Sequence, residues 1–203
     1  MDHLTTLNGV LLTPETAGEL EVRSTTAAAV LVPLYLRDGE LHAVFTERTH
    51  DLPRHAGEIS FPGGRRDPED TTLTITALRE AHEEIGLDPD TVEILGALQP
   101  TPTIATGYAI YPFVALIEPN QTWTPSAGEV AAVIELSLSD VAAGYARRRL
   151  TRRGVAIRTD TYSVDGHVIW GATARIVADL LDRAAIGSAQ ASHGRATGLA
   201  RRG

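Results

Sequence analysis

Arg79-Glu80-Ala81-His82-Glu83-Glu84-Ile85-Gly86-Leu87 is the stretch whose reading decides this chain. At about 100° per residue, Glu80, Glu83 and Glu84 fall within one arc of a helix, while Ile75, Leu78, Ala81 and Ile85 lie on the opposite side. The apolar rhythm carries the helix back to Thr71, and Gly86 ends it as a C-cap. The three carboxylates therefore sit in the last two turns, where the helix dipole is negative and each anion costs about 0.3–1 kcal/mol. A divalent cation would reverse that cost, and clustered carboxylate oxygens are hard ligands suited to Mg²⁺ or Mn²⁺. On spacing alone, a solvated acidic face with Arg79 as its partner fits as well.

Upstream of the helix stands Phe61-Pro62-Gly63-Gly64, a turn whose glycines let the backbone approach a ligand or metal closely. Farther out, Thr26–Arg37 and Glu40–Arg48 are β-rich and separated by Asp38-Gly39, a two-residue hairpin signal. A loop with Pro53, Arg54 and His55 leads into a short segment at 58–61. Downstream, residues 91–98, 108–118, 130–136, 152–163 and 167–170 read as strands, and residues 139–149 and 173–185 as helices. Strands on both sides of a central helix predict a mixed α/β class, with a sheet sandwiched between helices. Residues 1–22 lack periodicity and read as an N-terminal extension. Residues 187–203 are Gly, Ala, Ser and Arg with almost nothing to bury, so a disordered tail is expected there, leaving 23–186 as one domain.

Composition removes whole classes of chemistry. The 18 basic residues are all Arg, and 26 Asp+Glu give a net charge of −8. Such an acidic chain is a poor general nucleic-acid binder. Without cysteine there is no thiol nucleophile, disulfide, iron–sulfur cluster or cysteine zinc site; without lysine there is no Schiff base or P-loop lysine. Met1-Asp2-His3 does not open a secretory signal, and the longest apolar run, 27–36, contains Pro33 and falls far short of the roughly 20 residues needed to cross a bilayer. A soluble, cytoplasmic protein that does not engage a membrane is expected.

With the glycine turn in place, the sequence resembles the Nudix hydrolase family. Its box reads Gly, five residues, an acid, seven residues, Arg-Glu, a small or aliphatic residue, any residue, Glu-Glu, any residue, Gly and an aliphatic residue. Here Gly64 and Asp70 stand five residues apart and 79–87 matches the second half, though the acid is Asp and eight residues precede Arg79. Before the box, Val44-Phe45-Thr46, Arg48, Thr49, Gly57 and Phe61-Pro62-Gly63-Gly64 resemble the coenzyme A pyrophosphatase branch; Pro53 occupies its second Arg position, with Arg54 next to it. Trp170-Gly171-Ala172-Thr173-Ala174-Arg175 is also similar to that branch.

The resemblance implies a Nudix-type α/β/α sandwich, with a mixed sheet and a catalytic helix after the Gly-rich loop. It also implies metal-dependent hydrolysis of the pyrophosphate bond of coenzyme A or its thioesters, giving a phosphopantetheine product and adenosine 3′,5′-bisphosphate. A pyrophosphate is anionic, so the site needs cations to neutralise oxygens and acidify the attacking water. Glu80 and Glu84 are the first-choice ligands for Mg²⁺ or Mn²⁺, with Glu83 as third ligand or as base near the water. Arg79 orients a neighbouring carboxylate. Arg48 and Arg54 are candidate phosphate grips, and Gly63 and Gly64 candidate substrate contacts. Glu129 would add a carboxylate from a loop opposite the helix, or serve only as a strand-edge charge. His55 and His82 receive no role. Arg147, Arg148, Arg149, Arg152 and Arg153 would complement the end of the preceding helix or attract the third phosphate of coenzyme A. The alternatives are another nucleoside diphosphate derivative such as ADP-ribose, or a non-catalytic module. The expected partner is a small molecule, not nucleic acid or membrane, and assembly as a homodimer is left open.

Overall fold

The computed structural model describes residues 3–20, 22, 26–49, 57–103, 107–152 and 155–187. The strands β1 (Thr26–Arg37) and β2 (Glu40–Arg48) form the expected hairpin, since Asp38 and Gly39 have φ of 54° and 82°, the mirror-image turn that matches strand twist. Around it lie β3 (Ile59–Ser60), β4 (Gly63–Arg65), β5 (Glu93–Ala97), β6 (Thr101–Pro102), β7 (Tyr108–Leu116) and β8 (Val130–Ser137). Their order is β3-β2-β1-β7-β5, with β4 also on β1, β6 on β7 and β8 on β2. Only β1 and β7 run parallel, so the sheet is mixed. Proline inside the central strand β1 is tolerated because of where it falls. Leu31 N–H donates toward Pro62, and Pro33, two residues on, would point its missing donor the same way, between the β4 and β2 pairings.

A second, antiparallel sheet contains β9 (Tyr145–Arg152), β10 (Val155–Val164) and β11 (His167–Trp170). The helices are α1 (His3–Asn8), α2 (Pro14–Glu19), α3 (Leu73–Ile85), α4 (Leu138–Ala143) and α5 (Gly171–Arg183). Two cores flank the main sheet. On one face Leu31, Tyr35, Val44 and Phe113 meet Ala77, Ala81 and Ile85 of α3. On the other, Val32, Leu34, Phe45 and Leu136 belong to the cluster that holds Val141 of α4 and Val177 and Leu180 of α5.

Three local expectations change. The helix read at 139–149 stops at Ala143, and 145–152 is strand β9 instead. Gly144 sits where a Cβ would lie 2.2 Å from the Ser163 carbonyl oxygen, and pairing with β10 supplies the backbone bonds beyond it. Arg147, Arg148 and Arg149 therefore lie exposed on a strand and do not complement a helix end. Ile75 is 44% exposed, because α3 packs through Thr76, Ala77, Ala81 and Ile85, about a quarter-turn from the expected stripe. Residues 1–22, which showed no periodicity, contain two six-residue helices. Leu7 is fully buried in the second core, and Leu12 bridges to Ala97.

Candidate functional site

The catalytic-helix candidate is capped at both ends as its sequence demands. Thr72 accepts from Ile75 N–H at 3.2 Å, and Gly86, at φ 73°, turns the chain off the helix. The last carbonyls are then claimed by the segment after β7: Thr124 N–H donates to Ile85 at 3.0 Å and Ser126 N–H to Glu84 at 2.9 Å. Ser126 oxygen in turn accepts from Glu129 N–H at 2.9 Å, while Thr49 N–H at the end of β2 donates to the Glu129 carbonyl at 3.0 Å. This chain of bonds seats Glu129 between the end of the helix and the end of β2.

The Gly63-Gly64 turn fits against the helix with no room to spare. Gly63 N–H donates to Glu84 Oε2 at 3.0 Å. A Cβ on Gly64 would lie 2.4 Å from the carboxyl carbon and both oxygens of Glu80. Glycine at 63 and 64 thus lets the backbone touch both carboxylates. Glu84 is 4% exposed, so the helix buries this carboxylate and does not present it to solvent. Burial pushes Glu84 up to about 7; the Gly63 N–H opposes the rise, Glu80 and Glu129 add to it as like charges, and Arg48 works against it. Glu80 is likewise raised, first by burial, with Arg79 opposing and Glu83 and Glu129 adding like charge.

Arg79 is the hub of the outer half. Its Nε and Nη2 hold Asp70 at 3.2 and 3.0 Å, and its Nη1 lies 3.1 Å from both Glu80 Oε1 and Glu83 Oε2. The guanidinium holds Asp70 down to about 2, against burial and with help from Asp67 N–H and Thr76 Oγ1, and Asp70 raises Arg79 in return. The shifted acid of the box is thereby a buried partner of the arginine. Glu83 stands apart from the buried pair, its side chain 57% exposed and turned to Arg79. Arg48 completes the inner face: it opposes the rise of Glu84, yet its Nε is buried with no hydrogen-bond partner among the described residues.

Glu80, Glu84, Gly63 and Gly64 are thus brought together, with Arg79 and Glu83 at the rim and Arg48 and Glu129 on the far side. Arg54 and His55 lie outside the described residues, and His82 faces away, its Nδ1 3.1 Å from the Leu87 carbonyl oxygen. A cleft of about 380 Å³, bounded by Glu47, Gly57, Ile59, His167 and Trp170 among others, shares Gly57 with the Arg48 loop but contains none of these glutamates. Sequence alone leaves two readings of Glu129, because the strands β5 to β7 and their connections decide where its loop lands.

Among the described residues, no three acidic or histidine side chains already converge in a metal-holding cluster. The donors nonetheless suit a divalent cation: a buried carboxylate pushed to about 7 beside two like charges is an arrangement that a cation would relieve.

A family model described as the NUDIX domain matches residues 25–154. The chain belongs to the Nudix family. A relative in Citrobacter koseri, named uncharacterized Nudix hydrolase NudL, is 37% identical over 172 residues, covering 84% of this chain and 88% of its own. A namesake in Salmonella newport is 37% identical over 155 residues, 75% of this chain and 80% of its own. Among solved structures, an Ap4A hydrolase of C. elegans superposes with a TM-score of 0.51 at 20% identity, over 59% of this chain and 85% of that one. A MutT/nudix protein of Enterococcus faecalis gives 0.52 at 14%, over 84% and 66%. These likenesses speak to the fold, and the Nudix α/β architecture with its mixed sheet is the one described above. No helix among the described residues is long and apolar enough to cross a membrane.

Proposed function

We propose that this Nudix hydrolase splits the pyrophosphate bond of coenzyme A or its thioesters, releasing a phosphopantetheine product and adenosine 3′,5′-bisphosphate. The observation that carries the reading is the Gly63-Gly64 turn seated against Glu80 and Glu84, with the segment that bears Glu129 bonded to the end of the same helix. Branch assignment is supported by the pattern from Val44 to Gly64 that precedes the box.

Nudix hydrolases generally use divalent metal ions. Glu80 and Glu84, with Glu83 or Glu129 as further donors, would hold Mg²⁺ or Mn²⁺, which when bound neutralises pyrophosphate oxygens and acidifies water. Everything else falls to the chain itself. Gly63 N–H fixes Glu84, and Arg79, braced by buried Asp70, fixes Glu80 and Glu83. Glu83 is the solvent-reachable carboxylate able to take a proton from water. Arg48, whose charge opposes the rise of Glu84, is one candidate grip for a substrate phosphate, and Arg54 is a second.

The test is turnover of coenzyme A, acetyl-coenzyme A and ADP-ribose with Mg²⁺ and with Mn²⁺, with products separated chromatographically. Coenzyme A and its ester should be cleaved to adenosine 3′,5′-bisphosphate; a higher kcat/KM on ADP-ribose would replace this substrate by that class.

A further inference from the structure

Glu135, on β8, accepts three hydrogen bonds on its two carboxylate oxygens. Tyr35 O–H and Arg37 Nη2 share Oε2 at 2.6 and 2.8 Å, and Trp123 Nε1 alone takes Oε1 at 2.7 Å. Burial opposes ionisation here, but the three donors hold the carboxyl below its ordinary range. Tyr35 on β1 and Glu135 on β8 stand on the two strands that flank β2, whereas Trp123 belongs to the segment between β7 and β8. That segment is the one that carries Glu129. Immediately after Trp123, Thr124 N–H and Ser126 N–H cap the end of α3, and the Ser126 carbonyl then accepts from Glu129 N–H.

Trp123 is therefore where the segment enters its course across the helix end. Its ring packs against the core that holds Ile85 and Leu87, and its one polar atom is spent on the sheet. We propose that the Trp123–Glu135 hydrogen bond is a latch that positions Glu129 toward Glu80 and Glu84, making Trp123 and Glu135 positioning residues for the cation-holding face. This rests on the reading of that face as a divalent-cation site. The latch acts on the backbone of its segment, and the proposal assigns its effect on the site to Glu129.

The measurement is the Mn²⁺ dissociation constant of the full chain by electron paramagnetic resonance, for Trp123→Phe, Glu129→Gln and the double variant. Trp123→Phe keeps the packed ring and deletes only the N–H donor. Each single variant should weaken Mn²⁺ binding by about 10-fold, the scale at which groups that orient ligands act. The double variant should be no weaker than Glu129→Gln alone, because the latch then has nothing to position. Wild-type affinity in folded Trp123→Phe, no effect of Glu129→Gln, or losses that multiply in the double variant would each overturn the latch. If Trp123→Phe does not fold, Glu135→Ala, which removes the acceptor, carries the same comparison. Wild-type protein that binds Mn²⁺ but leaves coenzyme A intact would remove the substrate reading while the latch is still decided by affinity. Failure of the wild type to bind Mn²⁺ overturns the latch with the site.

Discussion

At the scale of single residues, Glu84 carries the most consequence, because it is at once buried, bonded to Gly63 and crowded by like charges. Glu84→Gln should nearly abolish turnover and leave the far-ultraviolet circular dichroism unchanged, since Gln and Glu have similar helix propensity. Its titration also has a sign. A carboxyl raised from 4.5 to about 7 by folding stabilises the protein while protonated, and that contribution is lost as pH rises from about 4.5 through 7. Metal-free wild type should therefore lose melting temperature across that interval relative to Glu84→Gln. Activity should run the opposite way, rising through neutrality to an alkaline optimum, because cation binding and water ionisation both need the deprotonated forms. A rate profile that peaks below pH 6 would contradict this. Arg48→Ala should lower kcat/KM for coenzyme A by roughly 10-fold or more, the loss of one charge-assisted contact of about 1.5–3 kcal/mol.

Elements bring a different lesson, because adjacent glycines of one turn have unlike duties. On Gly64 the nearest atoms to a methyl would be the carboxyl end of the Glu80 side chain, 2.4 Å away, and not backbone. Gly64→Ala should thus fold with near-normal stability and lose most of its activity. On Gly63 the same methyl would lie 2.3 Å from the Ala29 carbonyl oxygen and 2.6 Å from Val30 Cα, both in β1. Gly63→Ala should unfold at clearly lower denaturant, and a urea titration of the two variants side by side separates the cases. Asp70→Asn belongs with the second kind of damage. Removing the charge that braces Arg79 should cost roughly 1.5–3 kcal/mol of stability, while weakening Mn²⁺ binding less than Glu84→Gln does.

Over the whole molecule, the N-terminal residues act as part of the packed body. Leu7 is fully buried, His3 Nδ1 lies 2.9 Å from the Ala184 carbonyl oxygen, and Arg183 reaches back to the Val10 carbonyl oxygen. Leu7→Ala should accordingly destabilise by about 2–5 kcal/mol in urea unfolding, the cost of a cavity in a core shared by β1, β2 and α5.

What the amino-acid sequence determined by itself is local and periodic: the β1–β2 hairpin from Asp38-Gly39 and the cap of α3 at Gly86. Each rests on dihedral preference or on spacing along a few residues, which neighbours in the chain are enough to enforce. Tertiary structure alone decided that Glu84 is buried, that Asp70 serves Arg79, that 145–152 is a strand and that Glu129 reaches the helix end. In these cases the partner lies far away in the chain, as Ser163 does from Gly144 and Glu135 from Tyr35, or the outcome turns on how a helix rolls against the sheet. Desolvation and long-range hydrogen bonding are properties of the assembled layers, and no window of sequence contains them.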